Sequence, residues 1–247
     1  MNLAVVAVEA QIGDEQVRSS GVVFDAEQGL ILTSAHTVWG ATSLRVATGL
    51  GVLHGRIVAR APCDDLAVVE TQPRLPGLVV LDPAAGEPAA EDLLLAVGRR
   101  EASPDVATGS LVTIPSRAVE GAGPAALGEG LPALHTALHL DGALVPESSG
   151  GPVVDSRGRL VGLAVATGSL KRPGGLALPW SAIDQRLDEL RRDSRRLYVG
   201  WRAQYRCADR LHAYAQAEHA GYRRVDARIN APVPATRLAG TEEIDAE

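Results

Sequence analysis

Three short segments carry the side chains able to do covalent chemistry: Leu32-Thr33-Ser34-Ala35-His36, Asp65-Leu66-Ala67-Val68-Val69 and Ser148-Ser149-Gly150-Gly151-Pro152. A serine hydroxyl attacks a carbonyl only when an imidazole takes its proton. The imidazole in turn needs a carboxylate to fix its tautomer and stabilise its charged form. Each segment offers one of these groups in an apolar, strand-like setting, so peptide-bond hydrolysis is the reaction they suggest. His36 leaves an apolar strand where the chain turns. Asp65 opens the run Leu66–Val69; Asp64 serves equally on spacing, and Asp65 is preferred because it directly precedes the buried run. Ser149 precedes paired glycines, which let the backbone turn sharply and a substrate approach closely.

The elements that must position these groups are short. From residue 3 to about 178, Val/Leu/Ile-rich runs alternate with Gly, Pro, Asp and Ser. The first set is Met1–Glu9, Ser20–Phe24, Leu30–Ser34, Ser43–Ala47, Val52–Ala59, Leu66–Glu70 and Leu78–Leu81. The second is Asp92–Val97, Ala107–Ile114, His135–His139, Pro152–Asp155, Leu160–Ala166 and Gly175–Leu178. Many short strands at close spacing predict a barrel or sandwich. The Pro/Ala/Gly-rich stretch 82–91 reads as a link between two halves, and the Gly/Pro/Ala-rich stretch 115–133 as a long surface loop. After Pro179 the period changes. Ser181 and Asp184 have capping-box spacing, and Ile183, Leu187 and Leu190 share one helical face. Trp201, Tyr205 and Tyr214, with Ala208 and Leu211, suggest a second helix ending near Gly221, followed by an extended or disordered acidic tail.

Composition narrows the partners. A net charge of −6 over 247 residues argues against nucleic acid. The run Arg191, Arg192, Arg195, Arg196 is interrupted by acids and reads as a solvated helix face. Only Lys171 among the 24 basic residues is a lysine, which reads as GC-rich coding bias. His135 and His139 lack a carboxylate at ligand spacing, so no metal is expected, and nothing implies a cofactor. Cys63 and Cys207 are expected to be buried and reduced. No run approaches the ~20 apolar residues that span a bilayer. Without a basic, apolar leader the chain reads as cytoplasmic, with no membrane partner.

The segments Thr33-Ser34-Ala35-His36, Asp65-Leu66-Ala67 and Pro146-Glu147-Ser148-Ser149-Gly150-Gly151-Pro152, in that order, resemble a trypsin-like serine protease domain of the HtrA/DegP branch. Gly158–Leu163 and Ala177-Leu178-Pro179 extend the resemblance over about residues 3–183. It implies an all-β fold of two antiparallel six-stranded barrels of the chymotrypsin type, with the active site in the crevice between them. It divides the chain into a protease domain over residues 1–183 and a helical extension with a flexible tail over 184–247. By the resemblance, His36 is the general base, Asp65 the orienting carboxylate and Ser149 the nucleophile of a bacterial serine endopeptidase acting on proteins or peptides.

The resemblance also builds an oxyanion hole from the backbone N–H groups of Glu147 and Ser149. The family usually has glycine where Glu147 stands. A side chain there disfavours the orientation the hole needs, which predicts a slow or latent enzyme. The alternative is a catalytically weak protease-fold module that binds or regulates other proteins; an esterase with the same triad fits the barrel pattern less well. The substrate pocket implied by the resemblance comprises Ala143–Pro146 with Val165, Ala166, Thr167 and Gly168. Ala143 at its base suits small or medium aliphatic residues. No PDZ domain and no trimer are expected, and Trp201, Tyr205 and Tyr214 either cover the domain's own surface or dock a protein partner.

Overall fold

The computed structural model describes residues 2–74, 76–100, 110–126, 133–169 and 172–192. The expected second helix and tail lie outside them. Six strands form the first barrel: β1 (Val5–Ile12), β2 (Glu15–Asp25), β3 (Leu30–Ser34), β4 (Ser43–Thr48), β5 (Gly51–Ala61) and β6 (Leu66–Gln72). Six form the second: β7 (Leu93–Arg100), β8 (Ser110–Ala126), β9 (Ala133–Leu140), β10 (Pro152–Asp155), β11 (Leu160–Ser169) and β12 (Arg172–Pro179). Helix α1 (Trp180–Arg192) follows.

Both barrels are closed, and every strand pair is antiparallel. The first runs β1-β2-β3-β6-β5-β4; the second, read from β7, runs β7-β8-β9-β12-β11-β10, the same order repeated. Closure leaves no exposed sheet edge. One core cluster joins the barrels beneath the crevice: Val22, Leu32, Leu66 and Val68 of the first meet Leu163, Val165, Leu176 and Leu178 of the second. Ile183 and Leu187 seal it from α1, both essentially inaccessible.

Three expectations need correction. Residues 115–126 are not loop; they are part of β8, paired with β7 and β9. The inward positions Ile114, Ser116 and Ala118 alternate with exposed Thr113, Pro115, Arg117 and Val119. Two of the three inward side chains are small, which hides the period-2 signal. Leu78–Leu81 is not a strand but part of the connection between barrels, tied to the N-terminus through Val79 N–H on the Leu3 carbonyl (3.1 Å). Ser181 does not precede its helix. It lies within α1, and its hydroxyl donates to Glu87 of the interbarrel connection.

Candidate active site

His36 stands at the end of β3, where a single 3-10 turn (His36–Val38) carries the chain off the barrel. Thr33 and Thr37 hold that exit: Thr33 Oγ1 donates to the Ser20 carbonyl (2.7 Å) and Thr37 Oγ1 to the Ser34 carbonyl (2.9 Å). Asp65 follows another such turn (Pro62–Asp64) and adopts a left-handed conformation, φ +50°. Aspartate tolerates this region better than most residues, at a cost offset by the bonds it makes here. Its backbone carbonyl accepts the Ala35 N–H (2.9 Å), Oδ1 accepts the His36 N–H (2.8 Å), and Oδ2 meets His36 Nδ1 at 2.7 Å.

An ionised carboxylate is acceptor only, so Nδ1 carries the ring proton and Nε2 is the basic nitrogen. Both residues are buried, which strengthens the charge-assisted bond between them. Asp64, the alternative carboxylate, turns the other way and pairs with Arg186 of α1 at 2.7 Å.

Ser149 arrives from the second barrel. Its carbonyl accepts the Ser20 N–H (2.9 Å), and the next N–H, of Gly150, donates to the Ala164 carbonyl (2.7 Å), to which Ser34 Oγ also donates at 3.4 Å. These bonds set Ser149 and Gly150 against β2 and the end of β3, two residues before His36. The glycines make that approach feasible. At Gly150 (φ +79°) a Cβ would fall 2.4 Å from the Ser20 carbonyl oxygen, and at Gly151 2.1 Å from that of Val97. Ser149 Oγ donates to the Val165 carbonyl (3.3 Å), where a register shift in β11 turns that carbonyl out of the ladder.

Of the other expected pocket residues, Ala143 is exposed and Val165 buried. Ala166 and Thr167 contribute backbone to β11, and their side chains lie outside the described residues. Among the described residues no three His, Cys, Asp or Glu side chains gather as metal ligands.

Just before Ser149, Pro146–Ser148 forms a 3-10 turn, with Ser148 N–H on the Val145 carbonyl at 2.9 Å. Bonds in such a turn run from each carbonyl to the N–H three residues on. The pattern therefore aims the Pro146 carbonyl at the Ser149 N–H. Glu147 has a negative φ, since among the described residues only Asp65 and Glu91 are non-glycine residues on the positive side. Its carboxylate meets Arg100 Nη2 at 3.4 Å. Its carbonyl accepts Ser20 Oγ (2.6 Å), and Ser20 Oγ in turn accepts the Arg99 N–H (2.8 Å). Ser20 thus bonds to Glu147, Ser149 and Arg99 at once. Sequence reasoning missed it, although a fully buried serine in an apolar strand must find polar partners.

Cys63, in the turn that precedes Asp65, is disulfide-bonded, overturning the expected reduced thiol. The chain's only other cysteine is Cys207, outside the described residues.

Residues 19–163, more than half of the chain, match the family described as trypsin-like peptidase domain, and the chain belongs to that family. HhoA of Synechocystis sp., whose name places it among serine proteases, is 29% identical over 171 residues, covering 68% of this chain and 41% of HhoA. The chain therefore spans less than half the length of that curated relative. Among solved structures, a serine endoprotease from Yersinia pestis superposes with a TM-score of 0.64 at 23% identity, covering 78% of this chain and 65% of that one. An HtrA-type protease, AlgW, gives the same TM-score and identity over 76% of this chain and 60% of its own. These likenesses carry the fold: two chymotrypsin-type barrels. Among the described residues no helix is long and apolar enough to cross a membrane.

Proposed function

We propose that the chain is a serine endopeptidase in which Ser149 attacks the peptide carbonyl, His36 Nε2 takes the hydroxyl proton, and Asp65 holds the imidazole and stabilises its cation. The proton then passes from His36 to the departing amine, leaving an acyl group on Ser149. Water, deprotonated by the same Nε2, releases the acid. The observation that carries this reading is the buried Asp65–His36 pair at 2.7 Å, at the edge of the crevice where Ser149 is anchored. The substrate is a protein or peptide, with the residue before the cleaved bond received between Ala143–Pro146 and Val165–Gly168.

The enzyme rests in a latent state. Stabilising the tetrahedral oxyanion needs the N–H groups of Glu147 and Ser149 on one point. The 3-10 turn over Pro146–Ser148 instead aims a carbonyl at the second donor. Turnover requires the Pro146–Glu147 peptide to flip. If the flip is never made, the chain is a protease-fold binding module, the second reading this turn supports. A disulfide at Cys63 favours an oxidising compartment over the cytoplasm.

A fluorophosphonate probe tests the enzymatic reading. Labelling at Ser149, abolished in Ser149→Ala and strongly slowed in His36→Ala, is expected. Wild-type protein that stays unlabelled through long incubation, with or without peptide, contradicts it.

A further inference from the structure

On one flank of Ser149 lies the Val165 carbonyl, at 3.3 Å, and with it the pocket proposed above for the acyl side of the substrate. A second flank is built by the Ser20 bonds: the Ser20 N–H to Ser149 O, and Ser20 Oγ to Glu147 O. A peptide whose carbonyl lies over Ser149 must send the segment beyond the scissile bond across this second flank. A cavity of about 100 Å³ opens there, walled by Glu9, Arg18, Ser19, Arg99, Arg100 and Glu147. That is room for a few water volumes, enough for one carboxylate-bearing side chain.

The walls carry three arginines against two glutamates, and one of the glutamates is committed. Glu9 is buried and held by Arg18 (3.2 Å), Arg45 (3.1 Å) and Gln16 Nε2 (3.1 Å). Arg99 is also buried, at 2% exposure, and its Nη1 is fixed by the Asn2 and Val5 carbonyls and by Asn2 Oδ1, so its charge stays in place beside the cavity it helps to wall. The remaining carboxylate, Glu147, meets Arg100 at 3.4 Å, beyond the 2.7–2.9 Å of a strong charge-assisted bond. Arg100 is 55% exposed in its side chain, and so open an ion pair is weak and easily exchanged. An incoming carboxylate can therefore take the guanidinium from Glu147 at little cost. The positive walls stand out in a chain whose net charge is −6.

We propose that this cavity is the subsite for an acidic side chain just beyond the scissile bond, so that the substrates are peptides with Asp or Glu on the leaving-group side. The inference rests on the hydrolase reading and adds a specificity to it. Arg100 grips the substrate's carboxylate, while Arg18, which keeps its pair with Glu9, and Arg99 supply fixed positive charge beside it. Because Glu147 also supplies an oxyanion-hole N–H, a substrate that takes Arg100 from its carboxylate loosens the residue that must reorient. Acidic substrates thus bind best and help to open the hole.

The test uses three peptides with valine before the scissile bond, identical except for Asp, its neutral isostere Asn, or Lys at the two positions after it, each made with a single fluorophore for binding and as a quenched pair for turnover. Their binding to the Ser149→Ala protein is read by fluorescence anisotropy, and their kcat/KM on the unmodified chain is read beside it. Roughly tenfold tighter binding of the Asp peptide is expected. Arg100→Gln should lower that ratio several-fold, and Arg100→Glu should turn the preference to a Lys peptide; Arg18→Ala supplies a second reading if either folds poorly. Equal binding of the Asp and Asn peptides, or a preference untouched by the arginine variants, overturns the subsite. Because anisotropy needs no turnover, a preference that persists while Ser149 resists fluorophosphonate refutes the hydrolase and supports the anionic site.

Discussion

Glu147→Gly tests the latency argument at the atom where it is made. Flipping the Pro146–Glu147 peptide to present its N–H to the oxyanion rotates φ of Glu147 by about 180°. A 3-10 φ of about −60° then becomes about +120°. Glycine reaches that region freely, whereas a residue with a Cβ there is strained by ~1–3 kcal/mol. At 1.36 kcal/mol per tenfold, removing the side chain should raise the competent population, and the acylation rate with it, by roughly 5- to 150-fold. The gain is bounded by the ~10²–10³ that one oxyanion donor contributes. Glu147→Ala is the control. It removes the carboxylate and its exposed pair with Arg100 but keeps Cβ, so it should gain at most about fivefold, the worth of an exposed pair. The assay is the rate of fluorophosphonate labelling at Ser149, with thermal unfolding to confirm the fold. A Glu147→Gly rate equal to that of wild type or of Glu147→Ala would refute the reasoning.

Gly150→Ala should destabilise the domain by ~2–5 kcal/mol, since a methyl at φ +79° meets the Ser20 and Ser34 backbone and Thr33 Oγ1 within 2.7 Å. Calorimetry should show a fall in Tm of several degrees or more; an unchanged Tm contradicts the close approach. Asp65→Asn should leave the fold largely intact and slow acylation by about 10⁴, because the amide no longer fixes the Nδ1–H tautomer or the imidazolium. A rate within tenfold of wild type would dismiss the orienting role. Reduction, or Cys63→Ser, should lower stability by about 2–5 kcal/mol, the usual cost of removing a native disulfide. No change in Tm on reduction would argue against that bond.

Strands made of large β-branched and aliphatic residues were legible from sequence: Leu30–Ser34 and Pro152–Asp155 have the expected bounds. The signal failed where inward positions are small, as at Ser116 and Ala118 of β8, and where an apolar run serves a connection, as at Leu78–Leu81. Spacing alone left two carboxylates for His36. The left-handed turn at Asp65 separates them, sending Asp64 to Arg186 and Asp65 to the imidazole. Ser20, Arg18 and Arg100 carried no motif, because their roles arise from a meeting of β2, β7 and the Pro146–Ser148 turn, whose bonded residues lie from 47 to 127 positions apart in the chain. Glu147 was visible at once, and its Cβ already argued from sequence against the backbone orientation of the proposed oxyanion hole. That Pro146–Ser148 would form a 3-10 turn was not legible, since that depends on which way one peptide plane faces.

The proposed chemistry requires Ser149 to form an acyl bond with the help of His36. Incubating the protein with a p-nitrophenyl ester and taking intact and peptide-level masses tests this most directly. One acyl group on Ser149 is expected, absent in Ser149→Ala and formed orders of magnitude more slowly in His36→Ala. An acyl group found elsewhere, or one formed on Ser149 at the same rate without the imidazole, would contradict it.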